Sequence, residues 1–434
     1  MTAASAPAGG RTGAGLGPSL AIAGALFFIT GFCTWLNGPL ISFVRLAFGL
    51  DDVNSFLVVT VFYVSYFVWA LPASRILKLT GLKKGLAVAL AVMAVGAGVF
   101  GEFATRRWYP GALGGLFTIG GGLALLQTAI NPYVSILGPI DGAARRIALM
   151  GICNKAAGIA APLVLGALVL GGIGDLSTTL EGSAGSAREA LLNSFAAKIH
   201  LPYLAMAGLL LVAAIGILRS PLPDLKVAEA NPEGPDEGRS GLHRSIFSFP
   251  HLWLGVVCLF VYVGVEVMAG DAIGAYGRAF GLPLDQTKFF TAFTLAAMLA
   301  GYVSGLIFTP KPLSQQTYLQ GSALLGVVLV AGAFLTKGYV SVGFVAALGF
   351  ANAMMWPAIF PLAIKGLGRV TETGSALLVM GIVGGAVIPQ AFAILKQHYD
   401  FQAVFAALMA PAYLYIFFYA WRGYRAGQRA VAAA

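Results

Sequence analysis

Three ionisable side chains stand where the sequence is otherwise apolar. They are Lys155 in ICNKAAGIAAPLVLG, and Glu266 and Asp271 in FVYVGVEVMAGDAIGAYGR. If these runs cross a bilayer, a charge near the middle of each costs about 2.5–3.5 kcal/mol even on a lenient insertion scale, and it survives where it faces other helices or a wet cavity. Poor solvation favours a neutral carboxylic acid, which suits a reversible proton carrier, whereas pairing with Lys155 holds both partners charged. The sequence leaves both readings open. Glu266 and Asp271 are five residues apart, so an unbroken helix turns them away from each other. Gly264, Gly270, Gly274 and Gly277 allow a bend there. A purely structural ion pair, or a group opening on a water-filled vestibule, is the plainer alternative.

A second set is neutral. Asn37, Gln127, Asn131, Asn154, Asn352 and Gln390 are amides in apolar runs, accompanied by Trp35, Tyr63, Tyr66, Tyr276 and Trp356. Amides both donate and accept, which matches hydroxyl groups, and aromatic faces pack on the C–H faces of a sugar ring. Hydrogen bonding between helices, worth about 0.6 kcal/mol on average, accounts for some of them equally well. So many amides in one chain favour an uncharged polyol over a lipophilic drug or an inorganic ion.

Composition decides what carries these residues. The chain has 434 residues, 58% hydrophobic and only 10% charged, with a mean hydropathy of +0.84. Soluble domains carry about 25% charged residues. An all-α polytopic membrane protein is the expectation. Twelve spans are legible, near 19–48, 56–77, 84–103, 111–136, 146–172 and 202–220, then 251–277, 287–309, 315–336, 339–363, 371–395 and 401–422. Each is near or above the roughly 20 residues that a bilayer core requires. Thr30, Thr34, Trp35, Asn37, Gly38 and Pro39 mark the first span as a broken helix lining something polar.

The predicted organisation is a disordered tail (1–18), a six-helix half (19–220), a central loop (221–247), a second six-helix half (248–422) and a tail (423–434). With both termini in the cytoplasm, seventeen lysines and arginines fall inside and nine outside, as the positive-inside bias requires. That bias, rather than nucleic-acid binding, explains the net charge of +10. The predicted place is therefore the cell membrane, a bacterial inner membrane, with the bilayer as partner and the chain a monomer. SAREALLNSFAAKI in the outer loop 173–201 reads as a short amphipathic helix on the membrane surface. Cys33, Cys153 and Cys258 lie in apolar runs as small packing residues, and the histidines lack metal-ligand spacing. No nucleotide fingerprint or nucleophile–base arrangement occurs, so neither an ATP-driven pump nor an enzyme is expected, and no cofactor.

The halves echo each other. Gln127 and Pro132 in the fourth span match Asn352 and Pro357 in the tenth at an offset of 225, and Gly158 and Pro162 match Gly385 and Pro389 at 227. A parallel duplication places a substrate near the midplane, between the halves.

Twelve spans in two halves with a basic Gly81-Leu82-Lys83-Lys84 turn resemble the major facilitator superfamily. TWLNGPLISFVRLAF (34–48), LLQTAINPYVSILGP (125–139), NKAAGIAAP (154–162) and YVGVEVMAGD (262–271) look like its fucose:proton symporter family, glucose/galactose branch. The resemblance implies import of a neutral hexose or an amino sugar such as N-acetylglucosamine, coupled to a proton or sodium. Fucose-type members carry an Asp where this chain has Gly38 and a Glu where it has Gln127, so those two coupling roles do not transfer. If Gly31 and Gly264 are equivalent, Gly38 corresponds to Asp271 at the same offset of 233, and the coupling acid has moved to the other half. Glu266, Asp271 and Lys155 are the expected ion-coupling residues. Trp35, Asn37, Tyr63, Gln127, Asn131, Asn154, Tyr276, Asn352, Trp356 and Gln390 are the expected substrate contacts. A proton-linked exporter of small polar or drug-like molecules, and a sugar sensor without flux, are the competing functions.

Overall fold

The computed structural model describes residues 16–136, 143–222, 245–309, 312–367 and 370–427. Most of the tail expected at 1–18, most of the central loop expected at 221–247 and the end of the tail expected at 423–434 lie outside the described residues; residues 16–18, expected in the tail, already belong to the first helix. Among the described residues twelve helices are long and apolar enough to cross a membrane, from Gly17–Ala47 to Phe401–Trp421. Their lipid-facing sides are apolar: Leu209 and Val212 of the sixth span and Val328 and Leu335 of the ninth are exposed.

Local chemistry starts and interrupts these helices. Asp51, Ser314 and Asp400 cap the helices that open the second, ninth and twelfth spans, each side chain accepting from a backbone N–H in the first turn; such caps satisfy donors that a helix start leaves free. The second and third spans form one hydrogen-bonded run, Leu57–Thr105, that reverses at Gly81 (φ 77°, ψ 168°), a conformation that glycine adopts without a Cβ penalty. This is the glycine of the Gly-Leu-Lys-Lys turn. The first span runs Leu16–Trp35 and resumes as Asn37–Ala47. Pro39 has no N–H to give to the Trp35 carbonyl, so the ladder fails there. The seventh span runs Pro250–Gly270 and resumes as Ile273–Ala279; at its break the Ala272 N–H reaches back to the Val267 carbonyl at 3.2 Å, one residue further than an α-helix would. Two discontinuous helices thus stand at corresponding places in the two sets of six spans.

Glycines set the helix contacts, and they do so in matching pairs. A Cβ on Gly120 of the fourth span would strike the Phe62 carbonyl of the second; one on Gly349 of the tenth would strike the Thr294 carbonyl of the eighth. Gly31 of the first span lies against the Asn154 backbone of the fifth, and Gly384 of the eleventh against the Phe260 backbone of the seventh. Membrane helices have no hydrophobic drive toward each other and depend on such close approach. Across the two sets, Gly151 meets Tyr302, Gly270 meets Trp35 and Gly385 meets Tyr63. The loop expected to hold one surface helix holds two, Ile173–Glu181 and Gly185–Ala197, the second burying Leu192, Phe195 and Ala196.

Candidate functional site

A cavity of about 110 Å³ lies between the two sets of spans. Trp35 comes from the first span, Tyr63 and Tyr66 from the second, Gln127 and Asn131 from the fourth, and Asn154 and Lys155 from the fifth. The other set contributes Tyr262 and Glu266 from the seventh span, Tyr302 from the eighth and Trp356 from the tenth. At its centre the Lys155 ammonium donates to the Glu266 carboxylate at 2.9 Å, with both residues buried. The same ammonium sits 4.4 Å from the Trp35 ring centroid, a cation–π geometry. Lys155 and Glu266 belong to opposite sets of spans, so the pair ties the halves together through the cavity wall. Tyr262, one helical turn before Glu266, directs its hydroxyl at that carboxylate. Gln127 donates to the Tyr66 hydroxyl at 3.2 Å, and Asn154 donates to the Phe27 carbonyl at 3.3 Å.

Of the residues expected to act, eight share this wall: Trp35, Tyr63, Gln127, Asn131, Asn154, Lys155, Glu266 and Trp356. The others do not line it. Asn352 is buried and its side-chain oxygen accepts from the Tyr413 hydroxyl at 2.8 Å. Tyr276 shares a 2.8 Å hydrogen bond with Ser341. Gln390 bridges the halves, accepting from Thr60 at 2.9 Å and donating to the Val53 carbonyl at 3.1 Å. Asn37 and Asp271 are buried just beyond the cavity, and neither side chain completes a hydrogen bond. Thr30 and Thr34 of the first span line it too, as the polar residues of that broken helix suggested, whereas Tyr262 and Tyr302 line it without having been singled out. The i, i+4 spacing of Tyr262 to Glu266 was a usable signal; Tyr302 had none.

The end of the bundle away from the first and last described residues, Leu16 and Gly427, is closed by polar straps. Asp52 pairs with Lys396 and with Arg45, the latter at 3.2 Å. Arg278 donates to the Ser42 hydroxyl at 3.0 Å. Lys288 donates to the Leu170 carbonyl at 2.9 Å and pairs with Asp285 at 2.8 Å. Asp52→Asn removes the acid that Lys396 and Arg45 share. It is expected to raise the labelling rate of a cysteine placed at Thr60 several-fold without lowering the melting temperature; an unchanged rate refutes the strap.

The sequence matches the Major Facilitator Superfamily over residues 23–389. The chain belongs to that superfamily. Within it, the chain is 32% identical over 399 residues to the glucose/galactose transporter of Brucella abortus biovar 1 (strain 9-941), covering 91% of each chain. It is 27% identical over 370 residues to the L-fucose-proton symporter of Escherichia coli (strain K12), covering 84% of this chain and 83% of that one. Among solved members of the superfamily, FucP in the outward conformation superposes with a TM-score of 0.74 at 24% identity, over 92% of this chain and 97% of that one. A D-xylose-proton symporter gives 0.64 at 13% identity, over 93% and 96%.

Proposed function

We infer that this superfamily member imports a neutral hexose or N-acetylated amino sugar together with a cation, by alternating access. The observation that carries the reading is the cavity: amides and aromatic rings surround one ion pair whose charges cancel. A site of zero net charge, rich in groups that both donate and accept, fits a polyhydroxyl solute and penalises an ionic one. The names of the relatives, glucose/galactose transporter and L-fucose-proton symporter, point the same way. With the termini in the cytoplasm, the closed end faces outward and the chain has its outer gate shut.

Counterflow tests the reading. Purified protein in liposomes loaded with unlabelled glucose is expected to take up labelled glucose transiently, with competition from galactose or N-acetylglucosamine but not from mannitol. Absence of counterflow with all three sugars refutes it, and drug efflux would favour the exporter. Trp35→Ala removes the ring beside Lys155 and is expected to raise the KM for the transported sugar by about tenfold, the loss of a contact of about 1.4 kcal/mol. An unchanged KM removes Trp35 from the substrate site.

A further inference from the structure

One buried acid is left unused by the cavity. Asp271 is 1% exposed, and neither carboxylate oxygen has a hydrogen-bond partner. It sits at the break of the seventh span, between Glu266 on the cavity and Arg278 in the straps. Facing it is the break of the first span: a Cβ on Gly38 would lie 3.2 Å from Asp271 Oδ1. The neighbouring Asn37 is equally buried, and its amide is also unpartnered. The contact therefore joins the two sets of spans midway between the cavity and the closed end.

The charged groups around Asp271 do not compensate it. Lys155 on the fifth span and Glu266 on its own helix act on it in opposite senses, and Lys155 is committed to Glu266. Tyr63 of the second span is the other titratable neighbour. Thr291 of the eighth span gives its hydroxyl proton to the Gly270 carbonyl at 2.8 Å. The Gly38 N–H is turned toward the carboxyl without completing a hydrogen bond. An isolated carboxylate in such a place has lost its water with nothing in exchange, whereas the neutral acid fits.

We propose that protonation of Asp271 licenses closure of the bundle end away from the termini, making the facing breaks of the first and seventh spans the proton-coupling point. This rests on the transport reading above and names its ion. When that end is open, water reaches Asp271 and the carboxyl exchanges its proton with the outer solution. Closure against Gly38 expels the water and proceeds once the proton is on. Loss of the proton toward the cavity leaves a buried charge, and that charge drives reopening. The Lys155–Glu266 pair then holds the cavity together and contacts substrate, and it is not the titrating group.

The test needs no sugar, so it stands even if the substrate assignment fails. Full-length protein with Cys33, Cys153 and Cys258 replaced by alanine and with Thr60→Cys added is reconstituted in liposomes and labelled with a membrane-impermeant maleimide. Labelling is corrected for the pH dependence of thiol reactivity using the denatured protein. Accessibility is expected to rise with pH by up to tenfold per unit, the slope for a single linked proton. With Asp271→Asn it is expected to be low and flat; Asp271→Ser, also neutral, is read in the same way if the asparagine variant does not fold. The double variant Lys155→Met/Glu266→Gln is expected to keep the pH dependence. Persistence of the slope without Asp271, its loss in the double variant, or a flat profile in the parent overturns the proposal.

Discussion

Lys155→Met and Glu266→Gln are each expected to lower stability by about 3–5 kcal/mol, the cost of stranding one member of a buried ion pair. Sugar counterflow should fall at least about a hundredfold with either, an effect of at least about 2.7 kcal/mol on the transport barrier. Lys155 contacts both the Glu266 carboxylate at 2.9 Å and the face of Trp35. Its removal therefore leaves an unpaired carboxylate on one set of spans and an uncovered ring on the other. The double variant carries no stranded charge, so its melting temperature in detergent should return close to that of the parent. Its counterflow should stay low, because the groups proposed to hold a hydroxylated solute are gone. Recovery of stability without recovery of flux separates a structural cost from a functional one. If both single variants melt like the parent, the pair is not a tie between the halves.

Gly31→Ala and Gly384→Ala are expected to have the next largest effects. A methyl at either position meets backbone of a neighbouring span, Asn154 in one case and Phe260 in the other, and backbone cannot swing aside as a flexible side chain can. The helices must separate, and close packing is what holds them together in a bilayer. A loss of about 3 kcal/mol or more is expected, at the upper end of overpacking costs. Gly98 supplies the control. It is also in a span, but a Cβ there meets nothing within 4 Å. Gly98→Ala is expected to be neutral, or stabilising by up to about 1 kcal/mol through helix propensity. Melting curves of the three variants decide the matter; equal curves refute the packing argument.

Hydropathy made the twelve spans legible because a bilayer demands long apolar helices and leaves little else to choose. The broken first span was legible for the same kind of local reason, since Pro39 withholds a hydrogen bond that Trp35 needs. The site was legible in part. Lys155, Glu266 and the amides Gln127, Asn131 and Asn154 stand out as polar residues in apolar runs, and the fold gathers them on one wall. Asn352 and Gln390 stand out equally by type, yet one serves Tyr413 and the other fastens the closed end. Composition cannot tell an amide facing a cavity from one facing a neighbouring helix, because the rotation of each helix is set by tertiary packing. Tyr302 was hidden for the converse reason: a tyrosine in a span is unremarkable until Gly151 brings the fifth span against it.

The contact between Gly38 and Asp271 also fixes a count. A side chain on residue 38 would meet the Thr291 hydroxyl as well as the Asp271 carboxyl, so this junction has room for one acid and no second. With Gly38 in place, Asp271 is the one carboxyl that this junction holds among the described residues.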